Sequence, residues 1–210
     1  MTRFIQVVAL LGLADCAAHS SRHSARTLRP GQWQTVVAVD GIIFEHGRAY
    51  VVYPAPELAI RRGMGPGWDV GGKLSAGSVE ASVRLARVDT PALAVALAPG
   101  MRFEFPVATN NGTDILRAVA FHHLVIEHRV GPASALVGTA TAALAVGSSA
   151  TIFGGSPGPA RLLAEPALGA GLRTQAGRVV LWPEVTVTVP YAFGDDFEAP
   201  LVQFGIGLEW

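Results

Sequence analysis

The sequence predicts an all-β, antiparallel up-and-down chain, and three observations carry that prediction. Apolar residues repeat with period two, the spacing of side chains along a strand, and not with the 3.6-residue spacing of a helix. Turn-forming residues separate the stretches at 63–67, Asn110-Asn111-Gly112, 154–159 and Gly194-Asp195-Asp196, which are rich in the residue types that turns require. Within the stretches, large apolar side chains take one face, while glycine, serine and charged residues take the other.

Residues 32–44 and 50–61 are the first two candidate strands, apolar but uneven in alternation. The next two are regular. Over 68–75, Trp68, Val70 and Leu74 share a face with Gly72, opposite Asp69, Gly71, Lys73 and Ser75. Over 78–87, Val79, Ala81, Val83 and Leu85 alternate with Glu80, Ser82, Arg84 and Ala86. Ala76-Gly77 joins these two as a tight hairpin connection. Leu93, Val95 and Leu97 continue the pattern over 91–98, and 115–129, 133–146 and 162–173 fill the middle less regularly. Over 179–189, Val179, Leu181, Val185, Val187 and Val189 oppose Val180, Trp182, Glu184, Thr186 and Thr188. Pro183 is a defect there, tolerated at a bulge or where no ladder donor is needed. In the last stretch Val202, Phe204, Ile206, Leu208 and Trp210 share one side, with Gln203, Gly205, Gly207 and Glu209 on the other. The expectation is about ten strands, with eight the alternative under an even-strand rule.

Alternation alone does not choose the solvent. A soluble barrel or sandwich turns its apolar face inward. A membrane barrel reverses the faces and must close, because lipid cannot satisfy an open sheet edge. Reversal is the reading here. Strand charges are sparse and pair naturally across neighbours, and small residues such as Gly71, Ser75, Ser82, Gly205 and Gly207 share their face, relieving crowding in a narrow interior. Trp33, Trp68 and Trp210 fall at strand ends, as residues of an interfacial girdle do. The rival reading is a transmembrane helix within 131–160, which carries no charge and is long enough to cross a bilayer. Pro132, Gly138, Gly147, Gly154, Gly155 and Pro157 break it, and two lipid-facing strands with a loop explain it better.

The run Gly67-Trp68-Asp69-Val70-Gly71-Gly72-Lys73-Leu74 resembles barrel strands that start on an aromatic residue and continue with small and apolar residues in alternation. The ending Phe204-Gly205-Ile206-Gly207-Leu208-Glu209-Trp210 resembles the signal read by the outer-membrane barrel assembly machinery, where Phe is the usual last residue and Trp a variant. Over roughly residues 31–210 the chain thus resembles the small bacterial outer-membrane β-barrel proteins, with no subfamily signature. The resemblance implies a closed antiparallel up-and-down transmembrane barrel in the outer membrane. It implies Phe204, Ile206, Leu208 and Trp210 as the assembly signal, and as partners the lipid, the assembly machinery and, through an open lumen, small solutes.

The amino-terminal region reads as an export signal over 1–18. Arg3 supplies a positive start, residues 4–14 an apolar run, and Ala17-Ala18 small residues for cleavage. Leu13-Ala14-Asp15-Cys16 also resembles a lipoprotein box, in which Cys16 would be lipidated; Asp15 departs from that pattern, and ordinary cleavage after Ala18 is the competing reading. Residues 19–30, with Arg22, Arg26 and Arg29, read as a polar, solvated leader ahead of the barrel domain at 31–210.

Half of the residues are hydrophobic and only 15% charged, too apolar for disorder. A formal net charge of zero offers no field for nucleic acid. The single Cys excludes an intramolecular disulfide. On the expected inward face, Glu57, Arg61, Asp69, Lys73, Glu80 and Arg84, with Glu165, Arg173, Glu184 and Glu209, would form either a selective pore lining or a filled interior of paired charges; the filled interior is favoured on barrel size. Gly154-Gly155-Ser156-Pro157-Gly158 has hydrolase-like spacing, but the prolines forbid the helix that motif needs. His122-His123 point to opposite faces of a strand and cannot chelate one ion unaided. No paired Ser and His, cofactor motif or metal-ligand spacing emerges, so no enzyme is expected. The expected role is structural or surface-associated, or a narrow pore. The alternative is a periplasmic or lipid-anchored soluble barrel holding an apolar ligand, and a barrel-embedded lipid-modifying enzyme is the third class.

Overall fold

In the computed structural model, the described residues are 22–46, 49–75, 77–105, 117–148, 160–193 and 200–210. They form β1 (Trp33–His46), β2 (Ala49–Gly65), β3 (Trp68–Ser75), β4 (Ser78–Asp89), β5 (Leu93–Glu104), β6 (Arg117–Arg129), β7 (Ser134–Ser148), β8 (Ala160–Ala164), β9 (Ala167–Ala176), β10 (Val179–Thr188), β11 (Tyr191–Ala192) and β12 (Leu201–Glu209). Each strand pairs antiparallel with the next around the wall, and β12 closes on β1 through Val36↔Glu209 to Ile43↔Val202. β8 and β9 both pair with β7 and occupy one wall position, interrupted at Glu165-Pro166; β10 and β11 share another, interrupted at Val189-Pro190. The wall is therefore a closed barrel of ten strand positions, not eight.

Proline explains where strand bounds depart from the sequence reading. β5 continues past residue 98 to Glu104 because Pro99 keeps its place opposite His122 of β6, while its β4 side falls in a gap between Leu85↔Leu97 and Ser82↔Gly100. A missing N–H is harmless on the side where no ladder bond is made. Pro183 does the same in β10. It stays opposite Ile206, and the ladder to β9 is interrupted between Leu181↔Thr174 and Glu184↔Gly171.

The faces are inverted relative to a soluble barrel. Outward-facing residues include Val39, Leu58, Ile60, Leu74, Met101, Leu124, Ile126, Leu136, Leu144, Leu168, Val185 and Phe204, all exposed. Residues of the opposite parity are buried and largely charged: Asp40, Glu57, Arg61, Asp69, Lys73, Glu80, Arg84, Arg102, Glu104 and Glu127. Connections at the end that holds Trp33 and Trp210 are short, as at 66–67 and 177–178. At the opposite end, 47–48 and 76–77 are also short, and the longest connections, 105–116, 149–159 and 193–200, all lie there. Short turns at one rim and long loops at the other are the habit of membrane barrels.

One expectation is corrected in part. Ahead of β1, Arg22, His23, Ser24 and Ala25 are not solvated but buried inside the barrel, whereas residues 29–32 are exposed. Arg26 hydrogen-bonds at the rim to the carbonyls of Thr90 and Pro91, and Leu28 donates its N–H to Asp69. A polar segment gains by entering because the lumen is lined with charges that need partners.

Candidate functional site

The lumen is the site, and its charges are built pairwise by strand register. Lys73↔Glu80 and Asp69↔Arg84 lie directly across the β3–β4 ladder, so each inward cation meets an inward anion on the neighbouring strand. Asp69 receives Arg61 Nε at 2.8 Å, Arg84 Nε at 3.0 Å and Arg84 Nη2 at 2.5 Å. Gly71 lies beside the Arg61 side chain, where a Cβ would collide with its Cγ at 2.6 Å. Lys73 Nζ stands 3.2 Å from Glu80 and 3.8 Å from Glu57. Nearer the long-loop end, Arg102 donates to Glu104 at 2.7 Å, and Arg117 bonds Glu165 and Glu104. Arg173 joins Glu127 at 3.3 Å to Glu209 at 2.5 Å, its guanidinium 5.0 Å from the Trp182 ring. Glu184 accepts from Thr186 at 3.1 Å.

The leader completes this network. Arg22 makes a two-bond pair with Asp40 of β1 and lies 3.7 Å from Glu57. Its guanidinium occupies space left by Gly205 and Gly207 of β12, where an added Cβ would meet Arg22 Nη2 at 2.6 Å and Cδ at 3.0 Å. Ser24 spans two strands: its carbonyl accepts from Arg84 at 2.6 Å and its hydroxyl donates to Glu127 at 2.6 Å. Arg26 pairs with Asp89 at 2.7 Å and with Glu127 at 3.3 Å. His23 lies among Glu80, Arg61 and His123, with its ring centroid 5.3 Å from that of His123. Burial first, and then the Arg61 guanidinium, draw the His23 imidazole down to a pKa of about 4, so it is neutral at pH 7.

Glu57, Arg61, Asp69, Lys73, Glu80, Arg84, Glu165, Glu184 and Glu209 are all buried toward the lumen, and Arg173 is partly buried there. Sequence reading missed Asp40, Arg102, Glu104, Arg117, Glu127, Arg22 and His23. Parity offered a signal for five of these: Asp40 shares the parity of Val36 and Ala38, Arg102 and Glu104 that of Ala94, Ala96 and Ala98, and Arg117 and Glu127 that of His123. The leader residues carried no such signal. His123 faces the lumen, its Nδ1 2.7 Å from Thr141 Oγ1, whereas His122 and His128 face outward. Ser134 bonds Thr174 at 3.3 Å near the short-turn rim, roughly 20 Å along β7 from the Thr141 that holds His123; the two cannot act together. Phe204, Ile206, Leu208 and Trp210 all point outward and are exposed. Cys16 and the signal region 1–18 lie outside the described residues, as do the loop at 154–158 and Asn111-Gly112-Thr113.

A closed wall with an apolar exterior and a charged interior is the build of a membrane-spanning β-barrel. No family model and no curated protein matches the chain. Among solved structures it is similar to the outer membrane protease OmpT of Escherichia coli, at 10% identity and a TM-score of 0.45, covering 89% of this chain and 99% of that one. It is similar also to the translocator domain of the autotransporter NalP of Neisseria meningitidis, at 12% identity and a TM-score of 0.42, covering 100% of this chain and 95% of that one. The attachment invasion locus protein Ail of Yersinia pestis matches at 15% identity and a TM-score of 0.35, covering 87% of this chain and all of that one.

Proposed function

We propose that the protein is an outer-membrane β-barrel with a structural or surface role, whose lumen is held shut by paired charges and by its own leader. The single observation that supports this most is the position of Arg22 and Ser24, bonded to Asp40, Arg84 and Glu127 from inside the wall. Side chains just fill an eight-strand barrel and a ten-strand one is somewhat wider, and a peptide segment fastened across that added width leaves no continuous path for hydrated ions. The surrounding lipid and, at its carboxyl-terminal strand, the barrel assembly machinery are the partners this reading gives it. Small solutes pass only where the leader withdraws.

Planar-bilayer conductance tests the reading. Wild-type protein is expected to stay silent at moderate voltage. Arg22→Glu sets three carboxylates together in the lumen, expels the leader and produces steady, salt-dependent conductance. The swap of Arg22→Asp with Asp40→Arg restores silence. A wild type that conducts steadily, with Arg22→Glu unchanged from it, overturns closure by the leader and leaves a narrow pore.

A further inference from the structure

We infer that the lumen holds a transition-metal site, formed by His23 of the leader, Glu80 of β4 and His123 of β6, which pins the leader to the wall. The inference rests on the leader lying in the lumen and adds a ligand to that arrangement. One donor atom from each residue lies within 4.8 Å of the others, and all three residues are buried. His23 Nε2 stands 3.7 Å from Glu80 Oε1, too far for a hydrogen bond. Neither His23 Nε2 nor His123 Nε2 has a hydrogen-bond partner among the described residues. Buried ring nitrogens are ordinarily satisfied, and two without a protein partner beside a carboxylate form a donor set suited to a metal ion. Zinc–nitrogen bonds of about 2.0–2.1 Å set tetrahedral donors roughly 3.4 Å apart, a contraction of at most about 1.4 Å from the 4.8 Å bound that side-chain torsions can supply.

The surroundings prepare the donors. Thr141 Oγ1 holds His123 Nδ1 at 2.7 Å; when that nitrogen carries the proton, the Nε2 lone pair is free for metal, the usual outer-shell arrangement of a histidine ligand. Lys73 engages the other Glu80 oxygen at 3.2 Å, leaving Oε1 turned to the histidines. His23 Nδ1 lies 3.4 Å from Arg61 Nη1, a long contact that loosens when Nε2 takes the metal. Two imidazoles and one carboxylate suit zinc, cobalt, nickel or ferrous iron over magnesium and calcium, and leave a fourth position for water. Lys73 and Arg61 add repulsion, which sets the affinity below that of an enclosed structural zinc centre.

The test is a cobalt(II) titration of the full-length folded protein in detergent after EDTA treatment, read by visible absorption, with conductance of the metal-free sample measured in parallel. The expected result is one equivalent bound, with the absorption bands of a four- or five-coordinate ion. His23→Ala and His123→Ala each weaken binding at least tenfold, while His122→Ala, on the outer face, leaves it unchanged. His23 lies outside every wall strand, so its variant keeps the barrel ladders, and the band shift on boiling verifies folding of each protein. Absence of the bands in a silent wild type overturns the metal site alone; their absence in a conducting wild type overturns it together with the leader's lumen position. Unchanged binding in both histidine variants assigns an adventitious ion only and overturns the site.

Discussion

Asp69 is held by two guanidiniums and a backbone amide, since it accepts from Arg61, Arg84 and the Leu28 backbone, and both it and Arg84 are 0% exposed. Asp69→Asn keeps the shape and removes the charge, leaving two guanidiniums short of a counterion. Breaking a buried pair in this way costs about 3–5 kcal/mol, to be read from urea unfolding of protein folded in lipid vesicles. A loss under about 1 kcal/mol, the scale of a solvated pair, would mean that water fills the lumen. Gly205 tests the leader at the same scale. A valine there occupies the space of Arg22 and Asp40, so Gly205→Val should open the conductance that Arg22→Glu opens; silence in that variant would mean that Arg22 does not close the lumen.

Inward and outward sets alternate along the strands, apart from register shifts at Gly63/Gly65 of β2 and Ala86/Val88 of β4, and a charge placed on the outer set tests what solvent that set meets. Val39, in β1 opposite Pro56 and Ile206, is 53% exposed. If it faces hydrocarbon, Val39→Lys costs about 2–4 kcal/mol in vesicle-folded protein; in water the same change would be near neutral. Alternation is also why so much of the wall was legible in the sequence. One residue fixes the face of all its strand neighbours, so Asp69, Lys73, Glu80 and Arg84 were assignable before any contact was known. The prolines hid the rest: Pro99 cut β5 short on paper, and the break at Pro166 divides one wall position into β8 and β9. The leader was illegible for a different reason. Its partners lie far away in the chain, as with Ser24 and Glu127, and a short polar segment has no period from which to infer a face. His23 was lost with it, and His23 is the residue that stands with His123 and Glu80 among the described residues.

At the scale of the molecule, closure, inverted faces and an occupied lumen depend on one another. The wall must close because an apolar exterior excludes the water that would satisfy a free edge. An interior turned away from lipid can then carry charges, and those charges give a polar leader something to bind. The central claim is the first link, a closed barrel folded in a membrane. It is tested most directly by expressing the full chain in a Gram-negative host, washing the outer-membrane fraction with urea, and running it on detergent gels with and without boiling. The account predicts that the protein stays in the washed fraction and that its band shifts on boiling, as an intact barrel opens. A protein found in the soluble fraction, or released by urea with no shift, would contradict the membrane barrel and favour a soluble one.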